Sequence, residues 1–145
     1  MSTLTVQRLD VRALWVGVVA GILGGIPFGI MMGIMGMMPM IGMLVRVDSA
    51  FAGVLVHGAI SAITGAIYGF FAVRFPLTWR NALLGGFVYS AIWWVLGALI
   101  LMPALLGMFQ NIFVIGTMQW MSLLGHIIFG EALALSFVGL YSRSK

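Results

Sequence analysis

The stretch that decides the fold is ALWVGVVAGILGGIPFGIMMGIMGMM, Ala13 to Met38, which lies in an interval without charge between Arg12 and Arg46. A helix needs about 20 apolar residues to cross the hydrocarbon of a bilayer, and this run is longer. It is too long for the core of a signal peptide and lacks a small-residue cleavage site, so it reads as a retained anchor. Working outward, Asp48 and Arg74 bracket a second uncharged segment, Ala50 to Val73. A third uncharged interval from Asn81 to Gly130 is long enough for a third helix and the start of a fourth. The expected helices cover about 13–38, 50–73, 81–101 and 118–140 of a single transmembrane domain, 1–145. Between the last two, LLGMFQNIFVIGTMQ carries Gln110, Asn111, Thr117 and Gln119, the mark of an interfacial loop or short surface helix.

Composition supports this reading. The 145 residues are 63% hydrophobic and 7% charged, whereas a soluble domain is about one quarter charged. A water-soluble monomer is excluded, because so few charges cannot form its polar shell. Without cysteine the chain has no disulfide, iron–sulfur or thiolate zinc chemistry. Arg8, Arg12, Arg74, Arg80, Arg143 and Lys145 fall on one side of a four-span arrangement and Arg46 on the other. Basic residues gather on the cytoplasmic side of membranes, so both termini are expected in the cytoplasm. The same bias accounts for the pI near 10.4 without nucleic acid. A bacterial or archaeal inner membrane is the expected address.

The chain also carries signs of duplication. Met38, Pro39, Gly42 and Met43 close the first ascending helix, and Met102, Pro103, Gly107 and Met108 close the third with one extra residue. His57 precedes Arg74 by seventeen positions, and His126 precedes Arg143 by seventeen. The expected fold class is therefore all-α: a polytopic four-helix bundle of two helical hairpins in parallel repeat about the membrane normal. Seventeen helical residues rise about 25 Å, which sets both histidines toward the outer leaflet.

Gly17, Gly21, Gly25, Gly29 and Gly33 recur every fourth residue and form one small-residue stripe on the first helix. In lipid, helices associate through close contact at such residues, so the stripe reads as a packing seam, a glycine zipper. Gly58, Ala62, Gly65 and Gly69 make a similar line on the second helix. Pro27, after Gly24 and Gly25, marks a bend.

Polar residues inside the spans are the functional candidates. His57, Ser61, Thr64 and Tyr68 share one face of the second helix, while Gln119, Ser122 and His126 form a shorter stripe on the fourth. Intramembrane polar groups mark ligand or ion paths, and they also serve as hydrogen bonds between helices. Glu131 is the one carboxylate inside an apolar span. It stands five residues after His126, about 140° around the helix, and as a neutral acid it can donate a hydrogen bond. Met35, Met38, Met40 and Met43, in a methionine-rich segment with Met31, Met32 and Met37, are candidate soft-metal ligands for Cu(I) and equally an adaptable packing filler. The two histidines also permit a haem between the second and fourth helices. Hydrolytic triads, H-E-x-x-H and phosphate-binding loops are absent from the sequence, and no enzyme activity is expected. Trp79, Trp93, Trp94 and Trp120 include interface anchors.

HGAISAITGAIYG from His57 and HIIFGEALALSFVG from His126 share a leading histidine, small residues and an aromatic–glycine end. They resemble small uncharacterised four-helix membrane proteins of bacteria and archaea, in which a histidine opens a glycine-rich helix closing on Tyr-Gly. Tyr68-Gly69 matches that ending, and Phe137-Val138-Gly139 departs from it. The resemblance implies four helices and a membrane address, without an activity. The leading expectation is a non-enzymatic accessory or helix-packing subunit in a homo-oligomer or larger membrane complex. A proton or metal-ion transporter using His57, His126 and Glu131, and a bis-histidine haem electron carrier, are the alternatives.

Overall fold

The computed structural model describes residues 10–143, and Arg8 and Lys145 of the charge pattern lie outside them. The described residues are all helix and connecting turns. They form α1 (Val11–Ile34), α2 (Met38–Gly42), α3 (Ala50–Ala72), α4 (Trp79–Trp93), a π-helical segment (Trp94–Leu101), α5 (Met102–Leu105) and α6 (Thr117–Arg143). The segment from α4 to α5 is one continuous rod, Trp79–Leu105, and with α1, α3 and α6 it makes four helices long and apolar enough to cross a membrane. This is the build of a multi-pass membrane protein.

Local chemistry sets the ends. The Asp10 side chain accepts from the Ala13 N–H at 3.0 Å and caps α1, and Thr78 caps α4 through the Asn81 N–H. Each side chain satisfies a donor that the first helical turn leaves unpaired. At its other end α1 stops at Ile34 instead of running to Met38. Gly36 takes a left-handed φ of 68°, and the Met37 N–H returns to the Met32 carbonyl while Gly36 N–H bonds Gly33. This left-handed closure favours glycine. Met38 and Pro39 then start α2, a separate helix.

The third rod ends later than the sequence pattern indicates, at Leu105 instead of Leu101. Pro103 has no N–H to offer the Leu99 carbonyl one turn back. That carbonyl instead accepts from the Phe113 N–H of the following loop at 3.2 Å. The rod closes at Gly107, with φ of 75° and the Met108 N–H on the Pro103 carbonyl. Gly36 and Gly107 are thus the two glycines with a left-handed φ among the described residues, whereas Gly42 has an ordinary helical φ of −60°.

Across the bundle the order is α3, α1, α6, α4, with α1 packed on both α3 and α6, and α6 also on α4. Two faces of α1 make this possible. Gly17 and Gly21 lie against the backbone of Ser61 and Gly65 so closely that a Cβ on either would strike a backbone carbonyl. Gly24, on the adjoining face, meets Phe129 and Leu133 of α6. A second close crossing joins Gly86 and Ser90 of α4 to Gly130 and Ala134 of α6. Leu133, Ala134, Phe137 and Ser90 are fully enclosed at these crossings. α3 and α4 make no comparable packed seam. A two-fold relation between the hairpins would make the α3–α4 and α1–α6 interfaces equivalent; one is packed and the other is open.

Candidate functional site

The open seam between α3 and α4 holds a cavity of about 330 Å³. One wall is α3, from His57 through Ser61 to Thr64; the opposite wall is Trp93 with Gly97, Ala98 and Leu101 of the π-helical segment. Phe28 from α1 and Ser122, His126 and Phe129 from α6 form its back. Ile60, Ile63, Leu101 and Leu105 line it while remaining exposed, so they form a rim on the bilayer side. The π segment hydrogen-bonds five residues back, as in the Met102 N–H to Gly97 carbonyl bond. Such widened turns recur at functional sites. At the inner end Tyr89 reaches across from α4 and donates to the Thr64 carbonyl at 2.5 Å, while its ring meets Tyr68 edge-on with centroids 5.2 Å apart.

Both histidines line this cavity. His57 Nε2 is 2.8 Å from the Gly25 carbonyl, and His126 Nδ1 is 2.7 Å from the Ser122 carbonyl of its own helix. A carbonyl only accepts, so these nitrogens carry the protons. In the neutral form of each ring the acceptor lone pair is then left on His57 Nδ1 and His126 Nε2. The two rings do not touch. Phe28 sits against both, 5.6 Å from His57 and 4.9 Å from His126 between ring centroids.

The other candidate residues divide. Ser61 and Thr64 are buried on the cavity wall, and the Thr64 hydroxyl donates to the Ile60 carbonyl at 2.8 Å. Tyr68 is buried below the cavity against Tyr89 and Phe137. Glu131 is not part of the lining; one of its carboxyl oxygens, Oε2, is buried without a hydrogen-bond partner. Of the four soft-metal candidates, Met35 lines the cavity, Met38 is buried toward Gly29 and Gly53, Met40 is partly exposed and Met43 sits in the turn that follows α2. Among the described residues no three His, Asp or Glu side chains gather as a metal site. Gly25 and Gly29 face Ser61 and His57, and the space around Gly33 is open.

No known family, curated protein or solved structure matches the chain.

Several residues of the site carry no signal in the single-sequence pattern. Phe28, Tyr89 and Gly97 are ordinary aromatic or small residues of membrane helices. Only Tyr89, Trp93 and Gly97 had a readable relation, the spacing of four that puts them on one helical line. A second polar cluster, at the end opposite the cavity, pairs the chain's two described ends. The Tyr141 hydroxyl donates to Asp10 Oδ2 at 2.5 Å, and Arg12 donates to the Tyr141 carbonyl at 2.7 Å while lying 4.4 Å from its ring centroid. The Tyr141 hydroxyl, then the Ala13 N–H, hold the Asp10 carboxyl below the usual carboxylate range.

Proposed function

We propose that this chain is a non-enzymatic membrane subunit that holds an apolar small molecule, taken from the bilayer, in the cavity between α3 and α4. The observation that carries this reading is the cavity's combination of size, wall and opening. Small-molecule sites are typically concave, largely apolar and upward of about 300 Å³, with a few convergent polar groups. Here two imidazoles and the hydroxyl residues Ser61, Thr64 and Ser122 converge in a largely apolar wall whose rim is aliphatic. A molecule dissolved in lipid reaches such a rim without crossing water.

In this reading both termini are cytoplasmic. Arg12, Arg74, Arg80 and Arg143 belong to the ends of the spans that share that side, and Arg46 to the opposite end. The hairpins α1–α3 and α4–α6 form a parallel repeat that has diverged, one seam closing and its counterpart opening to make the site. The subunit acts in a homo-oligomer or larger membrane complex, because its loops are too short to build a soluble domain.

The test is extraction of protein purified in mild detergent, followed by mass spectrometry of the apolar fraction. Ala98→Trp, which fills the cavity from its π-helical wall, is the comparison, with circular dichroism to check its fold. A stoichiometric species in the wild type that is missing from the variant supports the proposal. Equal extracts from two folded proteins contradict it.

One observation favours a second reading, ion movement: the unpartnered Glu131 oxygen inside a span. Its test is proton or metal-ion flux in proteoliposomes, abolished by Glu131→Gln. Flux that persists in the variant contradicts it.

A further inference from the structure

The chemistry of the cavity's polar atoms restricts what fits it. His57 Nδ1 and His126 Nε2 are the acceptor nitrogens left by the bonds to Gly25 and Ser122. Neither has a hydrogen-bond partner among the described residues, neither is fully enclosed by the protein, and both rings belong to the cavity lining. The Trp93 indole N–H, the obvious donor in the wall, is sealed from that space. Its ring meets that of Tyr89 edge-on, with centroids 6.1 Å apart. The Thr64 hydroxyl is committed to the Ile60 and Ser61 carbonyls. The Ser122 hydroxyl oxygen lies 3.4 Å from His126 Nδ1, so the site presents two fixed acceptors, with Ser61 as the remaining hydroxyl.

Resting on the cavity reading above, we propose that the ligand is an apolar alcohol or phenol, whose hydroxyl donates to His126 Nε2 or His57 Nδ1 while its hydrocarbon body fills the space toward Ile60 and Leu101. A buried acceptor that a ligand leaves unpaired loses its hydration without compensation, so the site selects for a donor. Phe28, against both imidazoles, gives the ligand's polar end an aromatic surface at the back of the cavity. Ketones, ethers and alkanes of the same shape offer no proton and bind less well.

The experiment compares matched probes on the protein in lipid nanodiscs, with empty nanodiscs subtracted for partition into lipid. 2-Naphthol is set against 2-methoxynaphthalene, and 1-decanol against decyl methyl ether. Each ether keeps the oxygen and loses the donor. The alcohol of at least one pair is expected to bind about tenfold more tightly than its ether, the factor that corresponds to about 1.4 kcal/mol. The pair that shows the preference distinguishes a phenol from an aliphatic alcohol. His57→Leu with His126→Leu should remove the preference, and His126→Gln, which restores an acceptor, should recover part of it. Equal binding of alcohol and ether to the wild type overturns this inference and leaves the cavity reading standing. No binding above empty nanodiscs by any probe overturns both. The wild-type comparison decides even if the leucine variant fails to fold.

Discussion

The Tyr89 hydroxyl donates to the Thr64 carbonyl across 2.5 Å, tying α4 to α3 where the two helices have no packed seam. The bond joins Thr64, the last wall residue of α3, to Tyr89, one helical turn before Trp93, the first residue of the opposite wall. It acts as the floor of the site.

Tyr89→Phe keeps the ring against Tyr68 and removes only the hydroxyl. Interhelical hydrogen bonds in membrane bundles contribute about 0.6 kcal/mol on average, so the loss of stability should be on that order. Unfolding in a graded denaturing detergent measures it. Probe binding in the cavity should weaken as the floor loosens, and unchanged binding would separate Tyr89 from the site.

The α1–α3 contact gives a sharper stability prediction. Gly21→Ala and Gly65→Ala each drive a methyl group into the facing backbone, and overpacking of this kind costs about 1–3 kcal/mol. Gly58→Ala meets nothing within 4 Å and should be neutral, or stabilising by up to about 1 kcal/mol through helix propensity. The same unfolding assay applies. Equal effects at all three positions would contradict the packing described.

At the opposite end, the Tyr141 hydroxyl is the main group holding the Asp10 carboxyl below its usual range. A carboxyl depressed in the folded state stabilises the fold above its unfolded pKa, and that contribution fades as pH falls through the folded value. Tyr141→Phe should therefore melt below the wild type near pH 6, and the gap should close as the medium is taken below pH 4. Arg12 stays over the ring in both proteins, so its charge does not alter the comparison. A gap independent of pH would show that Asp10 is not the partner that matters.

Glu131 stands outside the cavity lining. Glu131→Gln should leave probe affinity within about twofold of wild type, a difference of about 0.4 kcal/mol. Isothermal titration with the preferred probe checks it, and a tenfold loss would place the carboxyl in the same functional unit as the histidines.

How far the sequence carried these conclusions depends on the kind of interaction. Four spans were readable because long uncharged intervals between arginines have few structural alternatives in a chain this apolar. Helix ends were less readable. The stop at Ile34 depends on the backbone conformation of Gly36, one of several glycines nearby, and the extension to Leu105 depends on Phe113 supplying the hydrogen bond that Pro103 cannot. Matching distances from Arg74 and Arg143 placed the histidines at similar depth, and the structure puts both on one cavity. The contact of Phe28 with both was invisible, because it arises from the packing of α1 on both α3 and α6. The methionines were grouped by proximity in sequence. Their separation follows from the turn at Gly36, which comes after α1 ends at Ile34 and lays Met38 over Gly53 of α3.

The most direct test of the cavity is equilibrium binding of 2-naphthol and 1-decanol to delipidated protein in nanodiscs, wild type against Ala98→Trp. One saturable site per chain for at least one probe in the wild type, lost in the folded variant, is the result this structure predicts. Binding that fails to saturate, or that is the same in both proteins, would contradict it.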